Sequence, residues 1–419
     1  MKKADDFCYL QSHQLFLLRL FKIKEDKMFL TSLALIFLVG LLLSNLAKKL
    51  KLPDLLGMLI TGMLLGPYIL NLLDPNLLLI SPDLRTMALV IILLRAGLSL
   101  DFKALKKVGR PALLMCFVPA TLELIGVILF APILFHISFL EAAILGTVLA
   151  AVSPAVIVPR MVRLIEQGYG TNKSIPQLIM ASSSVDDIFV IVLFTSLTTL
   201  ASEGSFSGLS LFNIPLSIMN GILIGILVGI FLTTYFKKLH LRDSIKTIIL
   251  LSASFLLIGL EDALETLLPF SGLIAIMCVG ALLYRNNAPV AQRLSLKLSK
   301  LWIAAQLLLF VLVGATVDIA YALQSLIPAL ILILIALIFR AFGVWISLLG
   351  TPLNYKERLF CILAYMPKAT VQAAIGSIPL SMGLSCGSIV LTVSIVAILV
   401  TAPFGAFCID TNYQRLLDL

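Results

Sequence analysis

Two interrupted apolar stretches decide the fold of this chain: AAVSPAVIVPR at residues 150–160 and AYMPKATVQAAIG at residues 364–376. Proline removes a backbone donor and clashes with the preceding turn of a helix, so each stretch predicts a helix that is broken near its middle. The residues expected at the two breaks are Ser153, Pro154, Pro159, Pro367 and Thr370. Backbone groups freed by a break inside a membrane must be satisfied by an ion, by water or by a neighbouring group.

The surrounding sequence is that of an integral membrane protein. Of its 419 residues, 60% are hydrophobic and only 13% are charged, whereas about half of a soluble chain is apolar and about a quarter is charged. A helix needs roughly 20 apolar residues to cross a bilayer, and thirteen stretches of this kind can be drawn. They leave only short loops, which excludes any enzyme that needs a large aqueous domain.

The predicted spans are 28–47, 54–72, 84–100, 109–135, 138–162, 175–201, 210–236, 243–261, 267–284, 299–319, 324–349, 357–380 and 386–408. Because seven is odd, span n and span n + 7 run in opposite directions, and spans 1–6 and 8–13 form two inverted six-helix repeats. The broken stretches fall in spans 5 and 12, which correspond in this arrangement. A simple proline kink explains one break, but two breaks in register are typical of the substrate site of a secondary transporter. The predicted fold is all-α, with two broken helices that cross.

Lysine and arginine are unevenly distributed between the loops. The odd-numbered loops and the C-terminal tail hold many of them, and the even-numbered loops hold only Arg85. Positively charged loops stay in the cytoplasm, so the odd-numbered loops and the C-terminus are predicted to be cytoplasmic. The net charge of +9 is explained in the same way and indicates no nucleic-acid partner.

Residues 1–27 break this charge rule, because they carry several basic residues on the side predicted to be outside. They are an interfacial helix, a partial extra span, or the result of a start site assigned upstream of Met28. The chain therefore divides into this extension, a transmembrane region at 28–408 and a short tail at 409–419.

Its six cysteines and three histidines lack the spacing of a disulfide framework or a metal site, so no cofactor is predicted.

Two adjacent carboxylates, Asp186 and Asp187, lie in the middle of span 6. Neighbouring carboxylates cannot both be ionised cheaply in a low-dielectric medium, so at least one is expected to bind a proton readily. Ser183 and Ser184 lie about one turn earlier on the same helix. With Asp187 they offer oxygen ligands, which a hard cation prefers. The aspartate pair is therefore predicted to bind Na⁺ or Li⁺ and protons.

Three further charges are predicted inside the membrane: Glu123 in span 4, Arg340 in span 11 and Lys368 in the second broken stretch. Charges at this depth are costly, so each needs a partner. Glu123 and Arg340 occupy corresponding positions in the two repeats and predict a buried ion pair that acts as a strut. Lys368 is expected either to face the carbonyl end of a half-helix or to pair with Asp186. The alternative for the carboxylates is a purely structural pairing with Arg340 or Lys368, which is more credible for Asp186.

The segments AAVSPAVIVPRM, IPQLIMASSSVDDI and YMPKATVQAAIG, together with Arg340, resemble the monovalent cation:proton antiporters, in particular the sodium/hydrogen exchanger 9B-like branch. The resemblance implies the 13-span fold of NapA-type bacterial antiporters, in which a six-helix core moves like an elevator against a dimer-forming scaffold. It also implies that Asp187 is the central ion and proton carrier, with Asp186 beside it, and that Ser153 lies in the broken helix. Some relatives carry Thr-Asp where this chain has Val152-Ser153, so one carboxylate is missing here.

The function predicted from these features is secondary exchange of Na⁺ or Li⁺ for H⁺ by a homodimer in the cell membrane. Two alternatives within transport are a K⁺/H⁺ efflux antiporter and an organic-anion symporter of the bile-acid type, although the second is not expected to place two aspartates at a helix crossing. An intramembrane protease is disfavoured, because the sequence has neither a Gly-x-Gly-Asp nor a Gly-x-Ser-Gly motif. The chain is predicted to be a transporter and not an enzyme.

Overall fold

A computed structural model describes residues 28–99, 109–202, 210–239, 241–264 and 268–418. The predicted N-terminal extension at 1–27 lies outside these residues. Within them the chain is largely helical and contains no strand. The helices are α1 (Phe29–Lys49), α2 (Asp54–Leu65), α3 (Pro75–Leu79), α4 (Ser81–Leu98), α5 (Arg110–Phe135), α6 (Phe139–Ala150), α7 (Pro154–Gln167), α8 (Ile175–Ser202), α9 (Ser210–Lys238), α10 (Asp243–Leu264), α11 (Gly272–Asn286), α12 (Ala288–Ala315), α13 (Ile319–Gln324), α14 (Leu326–Ser347), α15 (Tyr355–Ala364), α16 (Thr370–Ile375), α17 (Ile378–Ser381) and α18 (Gly387–Leu416).

Nine helical segments in the described part of the chain are long and apolar enough to cross a membrane, with α6 and α7 counted together as one. The chain is therefore a multi-pass membrane protein. The predicted spans 2, 3, 9 and 12 correspond to α2, α4, α11 and the interrupted pair α15 and α16. Of these, α2 and α11 are apolar but short, and α4 carries Asp83, Arg85 and Arg95. The total of thirteen spans stays a prediction.

Two helices extend beyond the predicted spans. α12 begins at Ala288 and not at residue 299, because the Asn287 side chain accepts a hydrogen bond from the Val290 N–H and caps the helix. α18 continues to Leu416, so residues 409–416 of the predicted tail belong to the final helix. Hydropathy places the end of a span at its first polar residues, whereas these helices continue past their apolar segments.

The helices pack as two groups. The first, which we call the core bundle, contains α5 to α8, α14 to α16 and α18, and the second, which we call the scaffold, contains α1, α2, α4 and α9 to α12. Helix α8 of the core bundle contacts α9 and α11 of the scaffold, and α16 contacts α4 and α12. The predicted spans 4–6 and 11–13 thus pack together in one group.

Helices α5 and α14 form an antiparallel pair in the core bundle. Pro119 lies next to Gly343 and Gly126 lies next to Phe339, so the residue numbers increase in opposite directions along the contact. A Cβ atom on Gly343 would be 2.6 Å from the Pro119 Cα, and only glycine permits this approach. The antiparallel packing agrees with the predicted inversion of spans 4 and 11.

Close backbone contacts also hold the scaffold together. A Cβ atom on Gly62 of α2 would lie 1.9 Å from the Val311 carbonyl oxygen of α12. A Cβ atom on Gly225 of α9 would lie 2.6 Å from the Ala275 carbonyl oxygen of α11. Small residues that let helix backbones touch are a usual basis of helix association in lipid.

Candidate ion-binding site

The two broken helices cross inside the core bundle. α6 ends at Ala150 and α7 begins at Pro154, while α15 ends at Ala364 and α16 begins at Thr370. The Ser153 N–H donates a hydrogen bond of 2.8 Å to the Pro367 carbonyl oxygen, which joins one break directly to the other. The hydroxyl oxygens of Ser153 and Thr370 are 3.5 Å apart. The predicted crossing is therefore present.

The three prolines act differently at the crossing. Pro154 is the first residue of α7, where the missing N–H costs nothing and the fixed φ suits a helix start. Pro367 lies in the second break and accepts the bond from Ser153. Pro159 lies inside α7, so its predicted place at a break is wrong, because the helix has already resumed at Pro154.

The carbonyl groups exposed by the breaks are satisfied by two side chains. The Gln372 amide donates to the carbonyl oxygens of Val148 at 3.0 Å and Ala151 at 2.9 Å. Arg340 donates to the Ala150 carbonyl through Nη1 and to the Tyr365 carbonyl through Nε, the latter at 2.6 Å. Arg340 is therefore bonded to both breaks at once.

Gln372 was not predicted from the sequence. It is 1% exposed and lies in the apolar half-helix α16, where a buried amide requires hydrogen-bond partners. From this apolar surrounding sequence one can infer that the Gln372 amide needs hydrogen-bond partners. The surrounding sequence does not identify α6, more than two hundred positions away in the chain, as the element that supplies the partners.

A four-residue charge network lies beside the crossing. Arg340 Nη1 is 2.6 Å from Glu123 Oε2, and Arg340 Nη2 is 3.1 Å from Asp186 Oδ2. Lys368 Nζ is also 2.6 Å from Glu123 Oε2. Each of these side chains is at most 2% exposed, so two cations and two carboxylates balance one another away from solvent, as buried charges require.

Three predictions concern this network. The Glu123–Arg340 ion pair is confirmed. The pairing of Lys368 with Asp186 is wrong, because the Lys368 ammonium contacts Glu123. The alternative position of Lys368, facing the carbonyl end of a half-helix, stays a prediction; the carbonyl groups of the first break accept hydrogen bonds from Gln372 and Arg340.

The two adjacent aspartates have different surroundings. Asp186 is fully buried, and its Oδ2 accepts hydrogen bonds from Arg340 and from the Val152 N–H, the latter at 2.9 Å. Asp187 is only partly buried and forms no ion pair within the described residues. Its Oδ1 is buried and has no hydrogen-bond partner there. Of the two aspartates, Asp187 is thus the one that forms no ion pair with a described residue.

The predicted serine ligands can be placed only in part. Ser183 is buried, and its hydroxyl donates to the Met180 carbonyl at 3.1 Å, which leaves the oxygen lone pairs able to accept a proton or contact a cation. The Ser184 side chain lies outside the described part of the structure. Ser153 lies in the first break, with its hydroxyl directed at Thr370.

Known proteins resemble this chain in sequence. The family model described as "Sodium/hydrogen exchanger, transmembrane" matches residues 33–410. The chain is 33% identical over 386 residues to human sodium/hydrogen exchanger 9B2, covering 88% of this chain and 70% of the relative. It is 34% identical over 384 residues to human sodium/hydrogen exchanger 9B1, covering 87% and 73%.

A solved structure has a similar fold. The sodium proton antiporter MjNhaP1 from Methanocaldococcus jannaschii at pH 8 superposes with a TM-score of 0.80 at 21% identity, covering 92% of this chain and 98% of that chain. At this identity the likeness concerns the fold. The family match and the human relatives define the class of protein as a membrane transporter of the exchanger type. The chain belongs to the sodium/hydrogen exchanger family.

Proposed function

We propose that the chain is a secondary antiporter that exchanges Na⁺ for H⁺, with Asp187 as the carrier of both. The observation that carries this proposal is the contrast between the two aspartates: Asp186 forms an ion pair with Arg340, whereas Asp187 forms no ion pair with any described residue. A carboxylate without a fixed partner can bind a proton or a cation but not both. Competition for one carboxylate couples the two fluxes, since release of the proton is required before the cation binds.

Asp186 has a positioning function in this proposal. Its bonds to Arg340 and to the Val152 N–H tie α8 to α14 and to the first break. The negative charge of Asp186 adds to the field at Asp187 without itself being available to the transported ion. Ser183 and the oxygen atoms of the crossing are the further ligands for Na⁺ or Li⁺.

One proton per cation is the proposed stoichiometry. Arg340 stays protonated in proteins and is bonded to Glu123, and Lys368 is bonded to the same Glu123 carboxylate. These contacts leave Asp187 as the residue that gains and loses a proton. Exchange of one H⁺ for one Na⁺ moves no net charge.

Alternating access is proposed to occur by movement of the core bundle against the scaffold. The bonds from Arg340 to both breaks, and the bond between Ser153 and Pro367, make the crossing a unit that moves without coming apart. The protein is proposed to act as a homodimer in the cell membrane with its C-terminus in the cytoplasm. Na⁺, Li⁺ and H⁺ are its transported substrates and not cofactors, and K⁺/H⁺ exchange is the alternative within the same mechanism.

Proton flux into and out of proteoliposomes tests the function. Gradients of Na⁺ and Li⁺ are expected to drive proton movement in the opposite direction, and a gradient of K⁺ is expected to drive little. Asp187→Asn should abolish the flux, because an amide releases no proton and offers no charge to the cation. The matched control is Asp83→Asn, at an exposed position of α4, which should transport like the wild type. Wild-type flux in the Asp187→Asn variant would refute the proposal.

A further inference from the structure

A cavity of about 500 Å³ lies at the end of the molecule where α1, α7 and α18 approach their C-termini. Its charged lining consists of Lys48, Lys51, Arg160, Arg163 and Asp410. We call this cavity the basic cavity. We propose that it binds a phosphate group, presented either as the monoester headgroup of an acidic lipid or as a free phosphate in water.

The charges of the basic cavity are only partly balanced within the protein. Asp410 is shared by two guanidinium groups, with Arg160 at 3.1 Å and Arg163 at 2.5 Å. Lys48 pairs with Asp54 at 3.2 Å, and Lys51 has no ion pair in the part of the chain that the structure describes. The cavity therefore has a surplus of positive charge that a multiply charged anion would neutralise.

The donors match the chemistry of a phosphate monoester. Arg163 contacts Asp410 through Nη2, and a guanidinium has five N–H groups, so further donors remain to be used. Gln167 and Tyr413 add neutral polar groups to the lining. A phosphate monoester has up to two negative charges and three strong acceptor oxygens, which is more than one carboxylate offers to these cations.

The size and position of the cavity also favour this ligand. A volume of about 500 Å³ lies within the range of about 300 to 1,000 Å³ that is usual for small-molecule sites, so it has room for a phosphate with its attached group. Leu46 and Leu50, close to Lys48 and Lys51 in the sequence, are exposed apolar residues at the end of a predicted membrane helix. The cavity is therefore near the depth at which lipid headgroups lie.

A bound anion would connect the two groups of helices. Lys48 lies in the last turn of the scaffold helix α1 and Lys51 lies just after it, whereas Arg160, Arg163 and Asp410 belong to the core bundle. A ligand that contacts both sides would restrain their relative movement and slow exchange. This consequence rests on the proposed function, whereas the binding itself does not.

Thermal unfolding of the purified protein tests the binding without reference to transport. One arm adds inorganic phosphate in detergent, and the other compares vesicles of phosphatidylcholine alone with vesicles that also contain phosphatidic acid. Binding to the native state raises Tm, so we expect an increase in at least one arm. The double variant Lys51→Gln/Arg163→Gln should weaken binding about tenfold or more, because charge-assisted contacts are lost. Lys237→Gln/Lys238→Gln, two exposed lysines at the end of α9, is the matched control and should behave like the wild type.

An increase in the phosphate arm alone identifies a soluble ligand, and one in the vesicle arm alone identifies a lipid headgroup; both support the site. If neither ligand raises the Tm of the wild type, the proposal is overturned. It is also overturned if the double variant and the control lose the Tm increase to the same extent. If the double variant does not fold, Lys51→Gln alone replaces it, since Lys51 has no ion pair among the described residues. An unchanged Tm response in that variant would then contradict the site.

Discussion

The core bundle and the scaffold are held together by different interactions. In the core bundle, Arg340 and Gln372 bond to the carbonyl groups of the broken helices, and a buried network balances four charges. In the scaffold, Gly62 and Gly225 allow helix backbones to touch. The stability of the core bundle therefore depends on each member of its polar network. The stability of the scaffold depends on glycine at the helix contacts, where no side chain fits. Substitutions in the two groups should therefore destabilise the protein for different reasons.

The largest effect is expected at Arg340, which donates hydrogen bonds to four buried residues. Arg340→Ala removes a countercharge from Glu123 and Asp186 and leaves two carbonyl groups unpaired, so it should destabilise the protein by about 3 to 5 kcal/mol or more. Glu123→Ala should cost less, because Arg340 keeps Asp186. The measurement is thermal unfolding in detergent.

The double variant Glu123→Ala/Arg340→Ala provides the internal test of this network. It should be less harmful than the sum of the single variants, because the Glu123–Arg340 contact is lost once and not twice, although Lys368 and Asp186 still lose their partners. The matched control is Arg293→Ala, which removes an exposed arginine paired with the half-buried Asp243, and its cost should stay below about 1 kcal/mol. Additive losses in the double variant would show that the two side chains are not coupled.

The next effect concerns volume in the scaffold. Gly62→Ala places a methyl group 1.9 Å from the Val311 carbonyl oxygen, and the two helices must separate to accommodate it. We expect a loss of about 2 to 3 kcal/mol, with the Na⁺ affinity of the folded protein unchanged. The control is Gly259→Ala, where a Cβ atom meets nothing within 4 Å and the helix should be slightly stabilised. Equal behaviour of the two variants would contradict the close α2–α12 contact.

The smallest of the stability effects is expected at Gln372. Gln372→Leu keeps the volume but leaves the Val148 and Ala151 carbonyl groups without this donor, at a cost of about 1 to 2 kcal/mol. Because these carbonyl groups lie at the crossing, Gln372→Leu should also change the Na⁺ affinity. Gly62→Ala, by contrast, should leave that affinity unchanged. Gln292→Leu, on an exposed position of α12, is the control. An unchanged affinity in Gln372→Leu would show that the amide is only structural.

The same comparison explains how far the sequence determined the fold and the site. The long apolar stretches and the paired prolines predicted the broken helices, and the cost of a buried charge predicted the Glu123–Arg340 pair. The partner of Lys368 was not predictable, because two acidic residues satisfied the same electrostatic requirement. The local sequence indicates that a buried polar or charged group needs a partner. Which residue becomes that partner depends on how distant segments pack together.

The ends of the helices were the other feature that the sequence did not predict correctly. Charged residues such as Asp410 appeared to belong to a tail, since hydropathy falls there. In the structure Asp410 pairs with Arg160 and Arg163 on α7, and these tertiary contacts favour continuation of α18. A contact between residues about 250 positions apart leaves no trace in the hydropathy of either segment.

In the proposed mechanism Asp187 carries the ion and the proton, and Asp186 supports it. Isothermal titration calorimetry of Na⁺ into the purified protein, repeated in buffers of different ionisation enthalpy, measures both the binding and the protons released. We predict release of about one proton per Na⁺ bound in the wild type, retained release with altered affinity in Asp186→Asn, and loss of both binding and release in Asp187→Asn. Na⁺ binding with proton release in folded Asp187→Asn protein would contradict the account.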